Sequence, residues 1–183
     1  MSLCNTSLCR LRFFLFCVIA VSGFLLDWGT KNWIFSKLTK ATEENANVWW
    51  FWEGVFGFQL ILNKGALFGM GYGLVFLFAI FSSVALVGIL AWMYFQGSKS
   101  WFMTIVLGMI TGGILGNLYD RLGLHNLREP EGTPIYAVRD WILVMIGKYP
   151  WPNFNVADSL LVVGAILLGF YVFFFVEQKS PTS

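Results

Sequence analysis

Phe154-Asn155-Val156-Ala157-Asp158 opens a run, residues 159–176, that is apolar and carries no charge. With its lead-in, the run reaches the ~20 residues that a helix needs to cross the hydrocarbon of a bilayer. A carboxylate at the mouth of such a helix is costly unless it faces a cavity or a partner. Trp151-Pro152-Asn153, just before it, reads as turn chemistry. That places Asp158 within the first turn or so of the helix. A second carboxylate, Asp140, lies upstream between Arg139 and Trp141. These two aspartates are candidates for a working pair that the rest of the chain holds at one membrane face.

The chain has 183 residues, of which 57% are hydrophobic and 12% charged, the balance of an integral membrane protein rather than a soluble domain. The net charge of +2 comes with no basic run interleaved with aromatics, so nucleic acid is not an expected partner. Cys4, Cys9 and Cys17 fall in the opening segment without a C-x-x-C spacing, which speaks against a disulfide framework or a cysteine nucleophile. His125 is the single histidine, and no H-E-x-x-H occurs, so neither a metal site nor a cofactor is expected. No G-x-S-x-G accompanies that histidine.

Three further uncharged runs complete the organisation. Residues 13–26 follow Arg10 and Arg12 and could be a signal peptide. No small-x-small cleavage site follows, however, and the pattern continues through Asp27-Trp28-Gly29-Thr30-Lys31, so a first membrane helix is the preferred reading. Residues 65–98 and 100–119 give the second and third helices, joined by a short link, Gln96-Gly97-Ser98-Lys99-Ser100. Between helices one and two lies an aromatic loop with Trp49-Trp50-Phe51-Trp52. In it the alternation of Phe56, Phe58 and Leu60 hints at a short strand. The aromatics suit packing against the bilayer surface.

Four crossings put both termini on one side and both large loops on the other. Asp27 then lies at the far end of helix one, and Asn63 precedes helix two on that side. Gly113, Asn117, Asp120 and Arg121 share one face at the far end of helix three. Asp140 and Asp158 reach the same interface. Taken singly, each residue has a plainer reading. Asp27 and Lys31 form an i, i+4 pair that can anchor a helix. Asn63 can be a turn residue, Asp120 and Arg121 structural partners, and Asp158 a helix-start acid favoured by the macrodipole. His125 reads as a solvated loop residue. It is their convergence that favours function. A count of cations would put the loops in the cytoplasm, but the rule weakens for long segments, and orientation stays open on this ground.

Paired carboxylates a few Å apart share one proton. The ionised member can take a proton from water while the other donates to a scissile carbonyl, which is aspartic peptidase chemistry. A proton channel using Asp27, Asp120 and Asp158 as a relay needs polar groups through the membrane depth, and the helix interiors are apolar apart from a few hydroxyls. A scaffold protein without catalysis is the third possibility, and the intact aspartate pair argues against it.

The motifs, in order, resemble those of the lipoprotein signal peptidases (signal peptidase II), membrane aspartic peptidases of bacteria. They are Asp27-x-x-x-Lys31, Asn63-x-Gly65 with Phe68-Gly69, Gly112-Gly113-x-x-Gly116-Asn117-x-x-Asp120-Arg121, Val138-x-Asp140 and Phe154-Asn155-x-Ala157-Asp158. The resemblance implies an all-α integral membrane protein of four transmembrane helices with a small extracytoplasmic β-cradle, supplied by the aromatic first loop. It implies one membrane-embedded peptidase domain over 1–183. The helices fall at about 12–33, 72–95, 101–121 and 156–176, and the extracytoplasmic loops at about 34–69 and 122–155. Asp140 and Asp158 would be the catalytic dyad. Asn63, Asn117, Arg121 and Asn155 would bind substrate, with Asp27, Lys31, Gly65 and Asp120 in support. The implied substrate is a diacylglyceryl-modified prolipoprotein, cleaved before its lipidated cysteine. The implied setting is the bacterial inner membrane, with cytoplasmic termini, an extracytoplasmic site, lipid as the surroundings and a monomer as the working unit. The chain differs from the family pattern in its longer segment 122–137, in Leu67 where a small residue is usual, and in the leader with Cys4 and Cys9.

Overall fold

A computed structural model describes residues 7–41, 48–65, 73–95 and 100–176. It contains helices α1 (Ser7–Ala41), α2 (Val75–Phe95), α3 (Trp101–Arg121) and α4 (Val156–Tyr171), the last continuing as a π-helical segment, Val172–Val176. Four helical stretches are long and apolar enough to cross a membrane: Ser7–Leu38, Val75–Phe95, Trp101–Arg121 and Val156–Phe174. The α3 span is 61% buried inside the protein and the other three 11% each, which makes α3 the central helix. The outer helices turn residues such as Phe14, Ile80, Val87 and Ile166 outward, as a lipid-facing surface requires. Small residues let backbones approach α3 on two sides. A Cβ on Gly112 would stand 3.0 Å from the Ala20 carbonyl oxygen of α1, and one on Gly113 would stand 2.6 Å from the Ala157 carbonyl oxygen of α4.

The protein is not all-α. Strands β1 (Trp49–Trp52), β2 (Phe56–Asn63), β3 (Val138–Ile146) and β4 (Tyr149–Phe154) form one antiparallel sheet in the order β1-β2-β3-β4. The strand hinted at by Phe56, Phe58 and Leu60 is β2. The expectation that 122–155 is loop fails from Val138 onward, because the Val138-Arg139-Asp140 segment is a buried interior strand. Trp151-Pro152-Asn153 is part of β4 rather than a turn. An edge strand tolerates the missing N–H of Pro150 and Pro152, and β4 ends the sheet. The turn lies earlier, at Gly147-Lys148, where Gly147 takes φ 63, the left-handed conformation that a two-residue hairpin demands.

Helix one also exceeds its expected end at residue 33. Its 35 residues span about 50 Å, more than the ~30 Å of hydrocarbon. The extra turns carry Ile34, Phe35 and Leu38, which bury against Trp141 of β3 together with Phe58, Leu60 and Ile142. The sheet is thus fastened to the end of α1 by an apolar cluster. The Phe68-Gly69 motif, Leu67, Cys4 and positions 96–99 of the α2–α3 link lie outside the described residues. Cys9 is disulfide-bonded, contrary to the expectation for the cysteines, while Cys17 is a free thiol. His125, expected to be solvated, is half-buried. Its Nδ1 accepts from Leu127 N at 3.0 Å and its Nε2 lies 3.3 Å from the Ala137 carbonyl oxygen. Burial lowers the affinity of this imidazole for a second proton, in keeping with the acceptor role of Nδ1.

Candidate active site

Three elements deliver the two candidate carboxylates and their neighbours to one place. Asp140 comes from β3, whose pairing with β2 sets Ile61 opposite Asp140 and Asn63 opposite Val138. Asn63 Nδ2 donates to Asp140 Oδ2 at 3.0 Å. Its own Oδ1 accepts from Gly65 N at 2.9 Å, so Gly65 fixes which end of the Asn63 amide faces the aspartate.

Asp158 sits in the first turn of α4, where Asn155 is the N-cap. Asn155 Oδ1 accepts from Asp158 N at 2.9 Å, and Asp158 Oδ2 accepts from Asn155 N at 3.1 Å. This is a reciprocal capping box in which the acid is aspartate. The free end of the cap then reaches outward: Asn155 Nδ2 donates to Asp140 Oδ1 at 2.7 Å and to Asn117 Oδ1 at 3.2 Å. Asn117, from α3, donates through Nδ2 to Asp158 Oδ1 at 2.7 Å. Each of the four carboxylate oxygens therefore accepts one N–H. Asn155 links both acids, by its amide to Asp140 and by its cap to Asp158.

Behind this layer lies a buried ionic network. Lys31 Nζ approaches Asp27 Oδ2 at 2.6 Å, Asp120 Oδ2 at 3.1 Å and Asn117 Oδ1 at 3.2 Å, with no solvent exposure. Asp27 Oδ1 accepts from Ala157 N at 2.9 Å, tying α1 to the start of α4. Asp27 and Lys31 are therefore a fully buried ion pair that ties α1 to α3 and α4. Asp120 accepts from Arg139 N at 3.0 Å, Nε at 3.1 Å and Nη2 at 2.9 Å. Asp120 and Arg121, weighed as partners of each other, take separate ones. The Arg121 guanidinium lies 5.8 Å from the centroid of the Phe78 ring, and its Nε is buried without a hydrogen-bond partner among the described residues. The acids that act on its charge are Asp158, Asp140 and Asp120, in that order.

The environments of the two candidate acids differ. Asp140 is 2% exposed, whereas Asp158 is partly open to solvent. Burial, reinforced by the charge of Asp158 and opposed by the amides of Asn63 and Asn155, pushes the Asp140 carboxyl up to about 7. The polar cluster does not continue through the bundle as charge. The other buried polar side chains of α3 are the hydroxyls of Thr104 and Thr111.

All the candidate site residues read from the sequence, Asp27, Lys31, Asn63, Gly65, Asn117, Asp120, Arg121, Asp140, Asn155 and Asp158, thus gather at one end of the helix bundle beside the sheet. Sequence reasoning missed Arg139 and Asn32. Its one available signal was a cation next to Asp140 in a stretch that reads apolar on either side. Among the described residues no group of three or more His, Cys, Asp or Glu side chains is arranged to hold a metal ion.

The family model for signal peptidase (SPase) II matches residues 19–174, which includes every one of these positions. A lipoprotein signal peptidase of Rhodopirellula baltica is 44% identical over 162 residues, covering 86% of this chain and 70% of its own length. One from Aquifex aeolicus is 38% identical over 165 residues, covering 87% and 86%. Among solved structures, a bacterial membrane enzyme determined by the in meso method superposes with a TM-score of 0.69 at 25% identity, covering 91% of this chain and 92% of its own. The chain belongs to the signal peptidase II family, and it is a peptidase of the membrane.

Proposed function

We propose that the protein is an aspartic endopeptidase that removes signal peptides from diacylglyceryl-modified prolipoproteins, with Asp140 and Asp158 as its catalytic pair. The observation that carries this is the bridged geometry of two carboxylates in unlike surroundings. Asp140 is buried and holds its proton up to about neutral pH, while Asp158 is more open to solvent. The formal charges agree. Asp27, Asp120, Asp140 and Asp158 face Lys31, Arg121 and Arg139, so four acids oppose three bases and one shared proton leaves the cluster neutral. That proton belongs to the pair as a whole.

In the proposed reaction, Asp158 takes a proton from a water molecule as its oxygen attacks the scissile carbonyl carbon. Asp140 donates its proton to the carbonyl oxygen. The resulting gem-diol collapses as Asp158 passes its proton to the departing amide nitrogen, and a diol hydroxyl returns a proton to Asp140. Asn63, Asn117 and Asn155 hold both acids, and Arg121 offers an unused buried N–H to a substrate carbonyl. Cleavage falls before the lipidated cysteine. The whole chain acts as one membrane-embedded domain of the inner membrane, with termini in the cytoplasm and the site on the opposite face.

Asp140→Asn and Asp158→Asn, each assayed on a diacylglyceryl-modified prolipoprotein, test the pair. Loss of an acid or base should lower kcat by at least about 10³-fold in each. Cleavage at the normal rate by either variant overturns the assignment. A reporter fused in the 96–100 link should read cytoplasmic, and an external reading overturns the topology.

A further inference from the structure

We infer that Arg139 is a positioning residue for the reaction, acting on Asp140 and Asp158 through two separate chains of bonds. This rests on the reading of those aspartates as the catalytic pair. Arg139 is 2% exposed and directly precedes Asp140 on β3. Neighbouring strand residues point to opposite faces, so when Asp140 faces the asparagines, Arg139 faces the helices.

The first chain is short. Asp120 of α3 accepts three N–H groups from Arg139, one of them the main-chain N–H. Arg139 Nη1 donates to Asn32 Oδ1 of α1 at 2.6 Å, and the guanidinium lies 5.8 Å from the Phe35 ring centroid. One residue thereby pins the start of β3 to both helices. The position of the main chain carrying Asp140 follows from that clamp, and with it the reach of Asp140 to Asn155.

The second chain reaches Asp158. Asp120 is shared between Arg139 and Lys31. Lys31 in turn donates to Asn117 Oδ1, as Asn155 Nδ2 does, and these two donors make the Asn117 amide present its Nδ2 to Asp158 Oδ1. Without the guanidinium, Lys31 is the cation still paired with Asp120 among the described residues and is drawn towards it. One of the two donors that orient Asn117 weakens, and with it the hold of Asn117 on Asp158. Lysine at position 139 keeps the charge but has neither the planar fork nor the reach to serve Asp120 and Asn32 together. The network therefore requires the shape of arginine as well as its charge.

Arg139→Lys and Arg139→Met, purified in detergent and assayed on diacylglyceryl-modified prolipoprotein, test this when kcat and KM are measured separately and thermal unfolding is followed alongside. The expected result is a fall in kcat of about tenfold for lysine and about 100-fold for methionine, the scale of an ångström-sized misplacement, with KM within about twofold. Full kcat in folded Arg139→Lys and Arg139→Met, even with lowered thermal stability, overturns the inference and leaves Arg139 merely structural. If neither variant folds, Asn32→Ala decides. It removes one anchor of the fork, and its kcat should fall severalfold at constant KM; unchanged kcat overturns the inference. Asp140→Asn and Asp158→Asn run in the same assay separate the two failures. Active aspartate variants sink the catalytic pair itself, whereas inactive ones beside fully active Arg139 variants sink only the clamp.

Discussion

Removing the Asn63 side chain should move the alkaline limb of the pH–rate profile upward. In Asn63→Ala the 3.0 Å bond from Nδ2 to Asp140 Oδ2 is lost, while the bond from Asn155 to Oδ1 remains. A hydrogen bond to a charged acceptor contributes about 1.5–3 kcal/mol. At ~1.4 kcal/mol per pKa unit this corresponds to about one to two units. Asn63 is only half-buried, so the lower end applies. The bond stabilises the ionised carboxylate, so its removal favours the protonated one and raises the pKa. Asp140 starts at about 7, and the proposed role for it is proton donor. The alkaline limb of kcat/KM therefore marks the loss of the pair's last proton. In the variant that limb should shift from about 7 to about 8. The assay is kcat/KM on diacylglyceryl-modified prolipoprotein across the neutral range, at fixed ionic strength. A weaker KM is compatible with the reasoning, since only the position of the limb is read. A limb that stays within about 0.3 unit, or moves down, refutes Asp140 as the proton-holding member.

Other outcomes follow from the same geometry. Asp140 has its folded-state pKa raised from 3.8 to about 7, so the proton it binds stabilises the fold fully below 3.8, and that stabilisation is lost as pH rises towards 7. The thermal midpoint of the parent protein should fall across that window, and Asp140→Asn should flatten the slope; equal slopes in the two proteins refute the linkage. Gly113→Ala should cost about 1–3 kcal/mol of stability, because the new Cβ meets the Ala157 carbonyl oxygen and the Leu161 side chain, and it should slow cleavage by displacing α4. A variant as stable and active as the parent would show that the α3–α4 approach has slack. Lys64 and Glu129 pair at 3.3 Å across the two loop regions with side chains 37% and 38% exposed, so a double-mutant cycle should give at most about 1 kcal/mol. A larger coupling would mean that segment 122–137 is fastened over the site by this pair.

The helices were legible because hydrocarbon imposes a simple rule on composition, and each of the four uncharged runs holds helix. The motif residues were legible because the same arrangement of membrane crossings puts their ends on one side. What the sequence hid was the sheet. Val138 to Ile146 reads like an apolar run with a charged pair inserted, and nothing local says that Arg139 looks at α3 and Asp140 at α4. Trp151-Pro152-Asn153 reads as a turn because an edge position cannot be recognised before strand order is known. The sequence suggests an end of helix one near residue 33, where aromatics suited to a membrane interface stand. Its continuation depends on Trp141, far along the chain. The partnership of Asp120 with Arg139 and Lys31, rather than with adjacent Arg121, is likewise a tertiary fact that spacing along α3 does not encode.

Asn155 and Asp158 close the first turn of α4 with the very groups that, on the proposed reading, hold and perform the chemistry. Starting the helix and assembling the site are then one event. On that reading, Asp140 lacks its counterpart until α4 forms, and the site is incomplete until then. On the proposed reading, forming the first turn of α4 is also the switch to the competent state.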